Sequence, residues 1–125
     1  MKRGVGMRNP KWKSEEVILL VDFYFKFKIR ECEPNEEDLM ILRKYLLNLK
    51  CHKEEEIGDN FRNITGLRMK LYNLREIDES CELPSLKKYS MLDKEIFERY
   101  KENIEELERV AYRLYLGDEF SFESS

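Results

Sequence analysis

"SEEVILLVDFYF", residues 14–25, decides the fold. Only Asp22 interrupts an apolar run from Val17 to Phe25. Wound as a helix, the run is apolar nearly all round, which marks a central, buried element. The same run could form a buried strand. Ser14 as an N-cap, Glu15 and Glu16 in the first turn, a length reaching Phe27, and no second strand to pair with favour a helix over 14–27.

Three further helices are expected around it. Asn35 and Asp38 form a capping box that starts the second, and Leu39, Leu42, Leu46 and Leu49 give it helical spacing. The third is predicted over 63–74, with Ile64, Leu67, Leu71 and Leu74 as its buried stripe. Ser90 and Asp93 form another capping box, opening a long last helix over 91–116. Its inner face uses Ile96, Phe97, Tyr100, Ile104, Leu107, Ala111 and Leu114, and Gly117 ends it. The expectation is an all-α, compact bundle of four main helices, with a basic N-terminal arm over 1–13, a helical domain over 14–116 and an acidic tail over 117–125.

Composition agrees. The chain has 125 residues, enough for one core, and is 42% hydrophobic and 39% charged. No apolar stretch approaches the ~20 residues of a membrane span, and "MKRGVGMRNP" lacks the apolar segment of a signal peptide. Cys32, Cys51 and Cys81 are odd in number and widely spaced, which suits a reducing cytoplasm rather than a disulfide framework. His52 is the single histidine, no metal-ligand spacing or Gly-rich phosphate loop is present, and neighbouring Cys51 and His52 do not make a nucleophile pair. No cofactor, metal or catalytic residue is expected.

Charge is unevenly distributed. Residues 1–30 hold eight Lys/Arg against three Asp/Glu and residues 61–90 six against four, whereas 31–60 and 91–125 are each net acidic by five. A polyanion would have to meet the first and third blocks. In the third, "FRNITGLRMKLYNLREID" (61–78) places Arg68, Tyr72 and Arg75 at i, i+4 and i+7, one stripe beside the leucine face, with Arg62 and Lys70 nearby. Arg68 and Arg75 are expected to face outward, their stems partly held and their tips accessible; Arg is suited to phosphate or a guanine edge, and Tyr can stack on a base. In the first block, Arg8, Lys11, Trp12 and Lys13 mix cations with an aromatic face. The bland alternatives stay open: Arg68 and Arg75 pair with glutamates of a neighbouring helix while Tyr72 packs at the core edge, and Trp12 closes the core as a lid.

Taken in order, "RNPKWKSEEVILLVDFY", "PNEEDLMILRKYLLNL", "FRNITGLRMKLYNLREID" and a last helix ending "LERVAYRL" resemble the N-terminal helical domain that precedes the nuclease in some bacterial HNH endonucleases of the McrA-like, modification-dependent restriction class. The resemblance covers about residues 8–114. It departs at Leu74, where the pattern has Phe, and at "IDES", where it has Asp-Pro. It implies a non-enzymatic DNA-binding or specificity module within a restriction or defence system. It does not imply cleavage, because an HNH site needs a histidine base and further metal ligands, and the single histidine here, His52, lies in an acidic loop. The competing expectation is a protein-interaction adaptor, regulator or decoy whose partner is a nuclease or regulator and whose acidic last helix meets a basic surface. Neither reading fixes the oligomeric state.

Overall fold

Val17 to Val21 are all buried completely, and that five-residue block organises the molecule. The computed structural model describes residues 9–117. Its helices are α1 (Ser14–Arg30), α2 (Glu36–Asn48), α3 (Ile64–Ile77), α4 (Met91–Tyr100) and α5 (Ile104–Tyr115), with a short 3-10 turn at Glu54–Glu56. No strand occurs among the described residues, and no helix there is long and apolar enough to cross a membrane. Residues 1–8 and 118–125, which hold most of the expected arm and tail, lie outside the described residues.

α1 packs against every other helix, while α2 lies on α3, α3 on α4, and α4 on α5. This is the consequence of a helix apolar on all sides: each face needs a cover. Most of the expected core is buried, from Val17, Leu20, Val21 and Tyr24 on α1 to Leu67 and Leu71 on α3, Phe97 on α4 and Leu107 on α5, while Leu49, Ile64 and Ile104 are half-buried at its edge. Phe25 stacks on Phe97 at 5.2 Å between ring centres, and Tyr24 meets the same ring edge-on at 5.9 Å. Asp22, the one polar residue in the run, is satisfied where it is buried. Lys26 pairs with its Oδ2 at 2.7 Å, and the Tyr115 hydroxyl donates to the same oxygen at 2.7 Å.

Both expected capping boxes form. Asn35 Oδ1 accepts from the Asp38 N–H at 2.8 Å and Asp38 returns the bond at 2.9 Å. Ser90 and Asp93 do likewise. Gly117 closes α5 with φ 77, the left-handed conformation that glycine adopts freely. Four boundaries differ from expectation, one of them the end of α3, which reaches Ile77 rather than Leu74. The N-cap of α1 is Lys13 rather than Ser14, because the Glu16 carboxylate turns back to accept the Lys13 N–H at 3.0 Å. α1 also runs about one turn further, to Arg30, and Glu31 caps it in the left-handed region with φ 57. The expected long last helix is two helices: Lys101 to Asn103 break it, with the Asn103 N–H bonded to the Tyr100 carbonyl at 2.8 Å. The bend lets α4 and α5 each lie against α1.

Candidate nucleic-acid interface

The chain enters α1 through an anchored segment. Asn9 donates from its side chain to the Asn60 carbonyl at 3.4 Å. Arg62, in the left-handed region at φ 48, directs its guanidinium under that segment. It donates to the Pro10 carbonyl at 3.1 Å and makes two bonds of 2.9 Å to the two oxygens of Glu16. This is the paired fork geometry that guanidinium and carboxylate favour. Both side chains are sealed from solvent, at 2% and 0% exposure. His52 joins them, with Nε2 2.9 Å from Glu16 Oε1. Burial pushes the Glu16 carboxyl upward, but the hydrogen bonds from Arg62 and His52 and the Arg62 charge outweigh it and hold the group below its usual value. The neighbouring Cys51 thiol is pushed up to about 11 by burial and by the charges of Glu16 and Glu15.

Trp12 is the lid of this cluster. The Arg62 guanidinium lies 4.3 Å and the Lys70 ammonium 5.1 Å from its ring centre. Lys70 in turn meets both oxygens of Asp93, at 2.9 and 2.7 Å, and Asp93 is fully buried at the N-terminus of α4. One carboxylate therefore caps α4 and anchors α3.

Arg68 and Arg75 were expected to point outward with free tips. Instead both grip the loop between α1 and α2. Arg68 donates to the Pro34 carbonyl at 3.2 Å. Arg75 pairs with Glu33 at 2.7 Å, donates to the Pro84 carbonyl at 3.0 Å, and lies 4.5 Å from the Tyr72 ring centre. Its side chain is 11% exposed. The expectation of free tips is corrected, and so is the alternative in part: one glutamate takes part, and it belongs to a loop rather than a helix. The physical reason is that the i, i+7 spacing lets two long side chains hold a connection whose carbonyls have no helical partner.

The nine residues expected to contact nucleic acid thus fall into separate groups. Lys11, Trp12, Lys13, Arg62 and Lys70 gather around the entry to α1, while Arg68, Tyr72 and Arg75 brace the far loops. Arg8 lies outside the described residues. Lys11 and Lys13 alone are exposed, and their ammonium groups make no hydrogen bond or ion pair among the described residues. A second polar cluster escaped the sequence reading. Asp78 accepts from the Tyr24 hydroxyl at 2.7 Å and from Lys28 at 2.6 Å, with Ser80 on its other oxygen. Burial raises the Asp78 carboxyl, and these bonds together bring it below its ordinary value; the Tyr24 hydroxyl is pushed up by burial and by Asp78. Tyr24 is spaced as a core residue, so only its hydroxyl announced a partner.

No protein-family model matches the sequence, and neither does any curated protein or solved structure.

Proposed function

We propose that the chain is a non-enzymatic DNA-binding accessory module, of the kind its resemblance to the restriction-endonuclease domain implies, and that it meets DNA through its basic arm rather than through the α3 arginines. One observation carries the reading. Residues 1–13 hold five Lys/Arg and no Asp/Glu, and Arg62 fastens the base of this segment through the Pro10 carbonyl, so that Lys11 and Lys13 project from a fixed platform. Anchoring matters because a cation already held in place loses less freedom when it meets a phosphate. The cations of α3 serve the fold, since each donates to a carboxylate or a carbonyl of the protein itself. Contacts of the arm would be to phosphate, which position a protein on a duplex without reading its sequence.

The test is fluorescence anisotropy with a labelled duplex, methylated and unmethylated, at two salt concentrations. Lys11→Ala and Lys13→Ala should each weaken binding at unchanged thermal midpoint and reduce the salt slope by about one. Lys70→Met should lower stability by about 1.5–3 kcal/mol, the range for a hydrogen bond to a charged group, and leave the affinity of the folded protein unaltered. Unchanged binding in both arm variants would refute the assignment.

A further inference from the structure

Between the C-terminal half of α1, α3 and the loops at 31–34 and 80–83 lies a cavity of about 510 Å³. Its size falls within the range of sites that take ligands. Phe23, Tyr24, Phe27 and Leu71 line it, and Leu83, 55% exposed, extends the apolar surface at the mouth. Arg75 ties the two flanking loops together through Glu33 and Pro84 and so braces the walls.

The charges at the rim are not balanced. Two cations line the cavity, and both are neutralised within the protein: Lys28 by Asp78 at 2.6 Å, and Arg75 by Glu33 at 2.7 Å. Two rim carboxylates, Glu31 and Glu82, are exposed and have no partner among the described residues. Glu31 stands in the left-handed region at φ 57, where glycine is the favoured residue. An apolar floor beneath unpaired carboxylates repels a phosphate backbone and favours a body that is apolar and cationic together.

From this complementarity we propose that the cavity is the docking site for a segment of a partner protein that carries a large apolar side chain beside a lysine or arginine. The apolar side chain enters between Phe27 and Leu71, and the cation meets Glu31 and Glu82. This site is separate from Lys11 and Lys13, which lie at the opposite end of α1.

The experiment uses the whole chain, labelled with nitrogen-15, and two acetylated, amidated hexapeptides: Ala-Lys-Phe-Leu-Arg-Ala and its charge-reversed counterpart Ala-Glu-Phe-Leu-Glu-Ala. The basic peptide should shift the amides of Phe27, Glu31, Cys32 and Leu83 saturably at millimolar concentration. Glu31→Gln and Glu82→Gln, both on the surface, should each weaken it about fivefold, as expected for loss of one ion pair of about 1 kcal/mol. Duplex DNA should leave these amides unmoved even where it binds the arm. Absence of shifts, shifts located elsewhere, or equal binding of the acidic peptide would overturn the proposal. So would a basic peptide indifferent to both glutamine substitutions.

Discussion

Replacing Arg62 with methionine removes the centre of the buried network and keeps much of the side chain's bulk. Two bonds of 2.9 Å to Glu16 and one of 3.1 Å to the Pro10 carbonyl disappear together. Glu16, 0% exposed, retains only His52 and the Lys13 N–H. A buried charge deprived of its partner destabilises a protein by about 3–5 kcal/mol. Against a total of roughly 5–15 kcal/mol for a domain of this kind, that is a large share. Urea unfolding measures it: with a slope of about 2 kcal/mol/M, the midpoint should fall by roughly 1.5–2.5 M. Trp12 is the only tryptophan and stacks on Arg62, so its fluorescence reports the site, while circular dichroism follows the helices. Combining Arg62→Met with Glu16→Gln should recover part of the loss, because no bare carboxylate then remains. A loss under about 1 kcal/mol for Arg62→Met, or no recovery in the pair, would show that the network does not stabilise the fold in this way.

Acid should act on the same chemistry. Glu16 and Asp78 have carboxyls held below their ordinary values of 4.5 and 3.8, so the unfolded chain binds their protons more readily than the folded one. Their stabilisation is complete above those values and is lost as pH falls through the lower folded ones; urea midpoints at neutral pH and near pH 3 check this, and Glu16→Gln should flatten the dependence. Lys50 sits at φ 53, so Lys50→Gly should relieve strain and raise stability by up to about 1 kcal/mol in thermal unfolding. The Cys51 thiol, pushed up to about 11, should be alkylated by iodoacetamide more slowly than exposed Cys32 at pH 8, as mass spectrometry of the modified peptides would record.

The bundle was legible because its signals are local and periodic. Leucine spacing on α2 and α3 and two capping boxes each fix an element without reference to the rest of the chain. The break at 101–103 was not legible by that route. Tyr100, Ile104, Leu107, Ala111 and Leu114 follow one another at intervals of four, three, four and three, so the apolar pattern runs through it unaltered. The overlooked signal was Asn103 ahead of Glu105 and Glu106, the signature of a helix start. Glu16 was read as an acid suited to a helix dipole. In the first turn of α1, Ser14 and Glu15 stay half-buried while Glu16 is covered completely, and a buried carboxylate requires a cation, which Arg62 supplies.

Sequence charge and surface charge part company in this protein for that reason. The third block is basic by count, yet Arg62, Arg68, Lys70 and Arg75 all donate to groups of the protein itself. Residue type marks these side chains as fit for phosphate, but the property that suits guanidinium to phosphate, a fixed fork of donors, equally suits it to Glu16 or to the carbonyls of Pro10, Pro34 and Pro84. Which partner wins depends on distance across the fold, and helical spacing carries no information on that. Lys11 and Lys13 escape the competition because they precede α1 and stand exposed, and their ammonium groups make no hydrogen bond or ion pair among the described residues. A cation stripe on a helix therefore argues for a polyanion only after the carbonyls and carboxylates of the adjacent loops have been assigned their donors.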